Sequence, residues 1–256
     1  QLNNDSILYG SYSEGFHSGG FFGVNQNLRD FERDQYDPEF AESWEFGYKS
    51  MHMNNRLRLN MSAFYNDFTD KQESFVAVDP DTKTVASKFD NAASVIYQGF
   101  EMEAEYLVNE NLKVFLNYGY LDAEYEDFET DINATDNQDI VEDATFLTPR
   151  NAPKYTLGVG GTFSYPIGNG DLEIYAKFAR VDDIETSLTN APLGRVEARD
   201  DISASIGYFT EQWSVVAFGR NLADDEYEAF TPIATLFAVG SINRGRTYGV
   251  ELSYDF

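Results

Sequence analysis

Two histidines, His17 and His52, are the only imidazoles in this sequence, and there is no cysteine. Disulfides, thiolate nucleophiles and thiolate metal sites are therefore excluded. Any acid–base catalysis by imidazole needs one of the two histidines beside a carboxylate; a solvated loop histidine is the plainer reading. Glu101, Glu103 and Glu105 alternate along the chain. If extended, they stand about 6–7 Å apart on one face, a spacing that two-carboxylate glycoside hydrolysis uses, although that chemistry also needs walls shaped to a sugar. Asp127, Glu129, Asp131, Asn133, Asp136 and Asp139 gather oxygen ligands of the kind calcium prefers. Their spacing lacks the central Gly and final Glu of an EF-hand loop, which leaves a solvated acidic loop. Asn133-Ala134-Thr135 matches a glycosylation sequon. Arg150, Arg195, Arg199, Arg244 and Arg246 are concentrated cations in a chain of net charge −26. Phe21, Phe22, Phe230 and Phe237 are aromatics suited either to lining a ligand mouth or to packing loops together.

The segments that carry these residues alternate with a period of two. From Phe100 the even positions read Phe100, Met102, Ala104, Tyr106 and Val108, with Glu101, Glu103 and Glu105 between them. From Leu112 they read Leu112, Val114, Leu116, Tyr118 and Tyr120, and among the odd positions only Phe115 breaks the polar or small pattern. Leu57 to Tyr65, Trp44 to Tyr48, Tyr155 to Phe163, Leu172 to Phe178, Ile202 to Tyr208 and Tyr248 to Phe256 repeat it. Such alternation predicts β-strands with one apolar and one wet face. With Ile7 to Phe16 and Trp213 to Asn221 the count is about ten strands, the even number that hairpins produce.

The connections alternate too. Short turns are expected near His52–Asn55, Asn109–Asn111, Pro166–Gly170 and Thr210–Gln212. Long polar segments are expected over Phe16–Pro38, Ala77–Ala92, Phe128–Asn151, Ile184–Val196 and Ala223–Asn243. Sorting short turns to one end and long loops to the other is the habit of outer-membrane barrels, and a soluble sandwich has no physical reason for it. No apolar run approaches the roughly 18 residues of a membrane helix. The aromatic content, 16% of residues, is too rich for a disordered acidic chain, and Tyr118, Tyr120, Tyr248, Tyr254 and Phe256 rim the apolar face as amphipathic rings do at a headgroup boundary. The acidity excludes nucleic acid as a partner. The expected fold is all-β, an antiparallel transmembrane β-barrel. A secreted or periplasmic sandwich is the bland alternative, disfavoured because sandwich cores use branched aliphatics more than Tyr.

Several strings resemble TonB-dependent outer-membrane receptors of the siderophore type. They are Tyr12-Ser13-Glu14-Gly15-Phe16 with Ser18-Gly19-Gly20-Phe21, Glu42 to Lys49, Leu57 to Asn66, Gly99-Phe100-Glu101, and Gly119 to Tyr125. Asn221-Leu222-Ala223-Asp224 with Tyr227, Arg246 to Val250 and the terminal Phe256 complete the order. The resemblance spans essentially the whole chain. It implies a barrel of about 22 strands filled by a plug, active uptake of a ferric siderophore or similar large nutrient across the outer membrane of a Gram-negative bacterium, and energy delivered through TonB. About ten of those strands are present, so residues 1–256 are expected to be the C-terminal part of the barrel. The plug and earlier strands would lie before Gln1, removed by processing or truncation. The partners implied are outer-membrane lipid and lipopolysaccharide, the TonB complex through the missing plug, and the nutrient. No cofactor, catalytic residue or resident metal is implied, and the ligand-contacting residues stay open.

Within a barrel, His17 belongs to the first outer loop and His52 to a periplasmic turn, too far apart for one site. An omptin-like protease, also a ten-stranded barrel, would have to use a single His with loop carboxylates. A passive porin is the other alternative. The glutamates become a hydrated wall facing the lumen or plug. The arginines at outer strand ends serve either an anion-binding vestibule or, as the favoured reading, salt bridges to lipopolysaccharide phosphates and neighbouring Asp and Glu.

Overall fold

The computed structural model describes residues 5–21, 35–78, 85–130, 142–233 and 237–256. Ten long strands follow one another: β1 Ser6–His17, β2 Glu39–His52, β3 Leu57–Val78, β4 Val85–Leu107, β5 Leu112–Thr130, β6 Tyr155–Ile167, β7 Gly170–Val181, β8 Arg199–Phe209, β9 Trp213–Arg220 and β10 Thr247–Tyr254. Each is antiparallel to the next, and spatial order equals chain order. Among the described residues β1 pairs only with β2 and β10 only with β9, so both edges of the sheet stay open.

The four short turns form where turn chemistry predicts them. Met53, Asn54 and Asn55 all take left-handed backbone (φ 55°, 56° and 64°), and Gly168 has φ 64°; asparagine and glycine tolerate that region best. At the opposite end one expected loop is shorter than the sequence suggests. Residues 77–92 do not form a long connection: β3 pairs with β4 as far as Val78 opposite Val85. The Asp79-Pro80-Asp81 turn signal masks two β-prone flanks, Phe75-Val76-Ala77-Val78 and Val85-Ala86. The other long segments are partly folded. Gly20–Phe21 pairs with Gln35–Tyr36, Ile184–Glu185 with Arg195–Val196, and Glu228–Ile233 with Phe237–Ile242.

Register carries the sequence alternation across the sheet without a slip in its lower part. Met61, Met102, Tyr118 and Leu157 align in one row, and Leu59, Ala104, Leu116, Val159, Phe178 and Ile202 in another. Phe163, Ile174, Ile206, Ala217 and Val250 form a third. These residues share one face, and among the described residues no second large sheet covers them: Val159, Ile206 and Val250 are 43%, 49% and 67% exposed. A soluble protein rarely leaves so continuous an apolar face bare, so the expected sandwich alternative fails. Aromatics close both ends of the face. Tyr12, Trp44 and Tyr65 lie in one row toward the long-loop end, and Tyr208, Trp213 and Tyr254 lie by the short turns.

The other face explains why Phe115 breaks the alternation. Tyr9 stands directly opposite Gly47, Phe64 opposite Gly99, Phe115 opposite Gly160 and Phe218 opposite Gly249. In each pair the ring lies where the glycine's missing side chain would stand, an arrangement that shields glycine backbone and fixes register.

Candidate functional site

The wet face and its long-loop end are the surfaces able to meet a ligand. On the wall, Lys49, Asn60, Glu103, Asn117 and Gly158 share one cross-strand row, and Gly47, Ser62, Glu101 and Gly119 share the next. An open groove of about 520 Å³ runs over them, lined by Tyr9, Glu45, Lys49, Asn60, Glu101 and Glu103 among others. The Tyr9 hydroxyl donates to Glu45. The Asn60 side-chain amide donates to Glu103 at 3.3 Å. Glu105 lies between Arg58 and Lys113, each at 3.7 Å. The three alternating glutamates thus share a face as the spacing predicts, but two of them are engaged by neighbours, and the surface above them is an open polar wall with nothing shaped to a sugar.

At the long-loop end the strands outrun the apolar rows and build the one buried apolar cluster among the described residues. Ala93, Val95, Tyr125, Phe128, Ala144, Leu147 and Leu188 are each at most 8% exposed. Three register shifts accompany it: between Phe68 and Lys71, where Asp70 is left-handed (φ 55°), between Lys71 and Gln72, and between Ser94 and Val95. Beside this cluster Glu73, 4% exposed, pairs with both Lys71 and Arg150. Buried Gln72 accepts nothing at Oε1, but its backbone N–H donates to Glu39 at 2.8 Å and its side-chain amide donates to the Asp37 carbonyl at 3.0 Å. This network ties the β1–β2 and β5–β6 connections to the β3–β4 hairpin.

Most of the outer arginines have carboxylate or aromatic partners within the chain. Arg195 contacts Asp183 at 2.8 Å and Glu185 at 3.6 Å, and Arg246 contacts Asp224 at 2.9 Å. Arg199 lies over the Tyr227 ring at 5.2 Å, and Arg244 is exposed. Salt bridging to neighbouring acids therefore describes Arg150, Arg195 and Arg246, and the five do not converge on one anion-binding centre. The Arg246 backbone N–H and then its guanidinium hold the Asp224 carboxyl below the usual aspartate range. Burial pushes the Glu185 carboxyl up, against the pull of Arg195.

His17 ends β1 opposite Glu39 rather than lying in a loop, and His52 ends β2 opposite Leu57. Thirteen residue steps separate these levels, roughly 43 Å along the strands, so no site holds both. His52 Nε2 is 3.4 Å from the Tyr48 hydroxyl. Asp127 and Glu129 lie on β5, whereas Asp131, Asn133, Asp136, Asp139 and the sequon fall outside the described residues. Among the described residues no group of three metal-ligating side chains assembles. Phe21 is exposed, Phe22 falls outside the described residues, and Phe230 and Phe237 sit on one outer hairpin. Sequence reasoning missed Glu73, Gln72 and Tyr125. The only available signal was a charged pair, Lys71 and Glu73, inside an otherwise strand-like run.

A family model described as TonB dependent receptor-like, beta-barrel, matches residues 1–222. The chain belongs to this family. Among solved structures, the ferric yersiniabactin uptake receptor FyuA from Yersinia pestis matches with a TM-score of 0.77 at 20% identity, over 100% of this chain and 36% of its own. The siderophore receptor PiuA from Acinetobacter baumannii matches with 0.70 at 19% identity, over 98% and 34%. The copper transporter OprC matches with 0.70 at 15% identity, over 100% and 38%. This TonB-dependent receptor-like chain thus spans about a third of the length of these proteins. Its ten strands match part of the barrel in these structures, with the apolar rows on one face of the sheet and Glu101, Glu103 and Glu105 on the other.

Proposed function

We propose that the chain is the C-terminal part of the barrel of an outer-membrane receptor in a Gram-negative bacterium, one that takes up a ferric siderophore or similar large nutrient with energy passed through TonB. The observation that carries the reading is the family match over residues 1–222 together with one apolar face running unbroken across ten strands. Two open sheet edges support further strands closing the barrel, because unpaired backbone is not tolerated in hydrocarbon. The likeness to a ferric yersiniabactin uptake receptor and to a copper transporter supports a metal or its chelate as cargo. In this reading the apolar rows contact lipid, the outer end meets lipopolysaccharide, the inner wall faces a plug, and TonB acts through that plug. The metal is cargo and the wall has no catalytic task.

The test is uptake of radiolabelled iron by cells in which the coding region for residues 1–256 is deleted in frame from its gene. Loss of energy-dependent uptake of at least one ferric chelate, restored by the intact gene and abolished without TonB, is expected. Uptake that persists without TonB, or steady ion conductance of the purified protein in a planar bilayer, would replace the receptor reading with a porin.

A further inference from the structure

From Phe46 to Asn66 the chain carries Lys49, His52, Arg56 and Arg58 and no carboxylate, in a sequence with 44 Asp and Glu. Lys49 and Arg58 fall on the polar face, in the rows of Glu103 and Glu105. His52 and Arg56 do not. His52 stands opposite Leu57, and Leu57 opposite Tyr106, at the lower edge of the apolar face. The Arg56 guanidinium lies over the Tyr106 ring at 5.6 Å and donates to the carbonyls of Leu107, at 2.9 Å, and Val108. These contacts hold it at the foot of that face. They engage two of its five N–H donors with neutral partners, and the residue is exposed.

Above this foot the apolar face is dented. Ala63 lies between Phe46 and Phe100 in one row, and Met61 between Tyr48 and Met102 in the row below. Phe46 leans over Gly10, where an added Cβ would meet its ring at 3.1 Å. Ala63 is thereby left as the floor of an open apolar groove of about 490 Å³, walled by Phe46, Tyr48, Met61 and Phe100. The Tyr48 hydroxyl, 3.4 Å from His52 Nε2, links the lower end of the groove to the cationic foot. From Leu57 to Ala63 the strand rises roughly 20 Å, or about 15 Å along the membrane normal at a tilt near 40°. Half of a hydrocarbon core about 30 Å thick has the same length.

We propose that this strip binds one anionic glycerophospholipid of the leaflet at the short-turn end. Arg56, with His52 and Tyr48 beside it, takes the phosphate, and the groove over Ala63 takes an acyl chain. The inference rests on the outer-membrane reading above. Charge complementarity names the occupant, because a guanidinium with free donors pairs with phosphate through parallel N–H···O bonds. The groove offers apolar side chains and no free backbone, which suits an acyl chain and not a peptide. Lipopolysaccharide belongs to the other end of the strands, with the long loops.

Native mass spectrometry of the complete receptor in detergent, titrated with phosphatidylglycerol or with phosphatidylcholine of the same chains, tests this. The unaltered receptor is expected to hold one phosphatidylglycerol in preference to phosphatidylcholine. Arg56→Gln should weaken phosphatidylglycerol binding about tenfold to a hundredfold, the range for a hydrogen bond to a charged group, and phosphatidylcholine binding less. Ala63→Leu fills the groove and should weaken both lipids together. Lys177→Gln removes a cation from the polar face and should change neither. Should Arg56→Gln fail to fold, Arg56→Lys, which keeps the charge and loses the paired donors, reads the same contact at reduced strength. Equal responses in Lys177→Gln and Arg56→Gln, or equal binding of the two lipids, overturn the headgroup contact. Lipid binding indifferent to Ala63→Leu overturns the groove, and a receptor dimer that forms as lipid is stripped and that Ala63→Leu abolishes gives the groove to a second copy. A receptor that fails to insert into phosphatidylcholine vesicles overturns the outer-membrane reading itself, whereas one that inserts and shows no lipid preference overturns only the lipid site.

Discussion

Leu116 and Asn117 are consecutive residues of β5 assigned to opposite solvents, and the pair gives the sharpest test of the barrel wall. Leu116 lies between Ala104 and Val159 in an apolar row, and Asn117 lies between Glu103 and Gly158 on the wet face. From Leu112 to Tyr120 the strand rises roughly 27 Å, or about 21 Å along the membrane normal at a tilt near 40°, which matches an apolar band of about 25 Å. Leu116 sits at the middle of that stretch. An arginine at the bilayer midplane costs about 2–4 kcal/mol in a transmembrane barrel, so Leu116→Arg should lower the folding equilibrium in vesicles about 30- to 700-fold. Asn117→Arg places the same side chain in water opposite a glutamate and should change stability by no more than about 0.5 kcal/mol. Urea titration of the complete receptor in vesicles, read by tryptophan fluorescence, measures both. An Asn117→Arg loss as large as that of Leu116→Arg would refute the assignment of faces.

Three further outcomes are expected. Gly160→Ala should destabilise by about 1–3 kcal/mol, because a Cβ there stands 2.5 Å from the Ala176 carbonyl and 2.7 Å from the Phe115 ring, whereas Gly15→Ala, with open space around it, should be neutral or slightly stabilising in the same titration. The depressed Asp224 carboxyl implies that the 221–246 connection holds firmly above the ordinary aspartate value of about 3.9 and loosens as pH falls through the lower folded value, visible as faster exchange of its amides, an effect absent in Asp224→Asn. The raised Glu185 carboxyl has the opposite sign. The 184–196 hairpin is firmest below about pH 4.3 and weakens as pH rises through the raised folded value, so Glu185→Gln should slow its exchange at pH 7.

The long strands were legible because a sheet with one apolar and one polar face imposes a strict alternation, and nearly every residue from Leu112 to Tyr120 declares its side. Phe115 was the exception, and no single-strand reading resolves it: its reason lies in Gly160, forty-five positions on and directly opposite only once β6 pairs. The turns were legible because Asn and Gly mark left-handed backbone locally. The loop ends were less so. The 77–92 stretch combines turn residues with β-prone flanks, and only pairing decides how far the strands extend. Glu73 and its cations left almost no trace, since a Lys and a Glu two apart in a strand look like any wet face. Arg150 was visible as a cation near an outer strand end, but its partner lies 77 residues away.

Where the buried cluster sits follows from the same division of solvents. A sheet in water must cover its apolar face with another layer, and it then shows a core along its whole length. Among the described residues no such layer lies over Val159, Phe163 or Ile206, and in the proposed function hydrocarbon supplies what a second sheet would. The wet face needs no core either, because Asn60, Glu103 and Lys49 are hydrated or bonded to neighbours. Only where β3, β4 and β5 extend past the aromatic row must the chain solve the problem of a water-soluble protein. There Val95, Tyr125 and Phe128 are buried beneath Ala144, Leu147 and Leu188. The loops that cover them are therefore folded structure rather than tethers, held at their base by the pairing of Glu73 with Lys71 and Arg150.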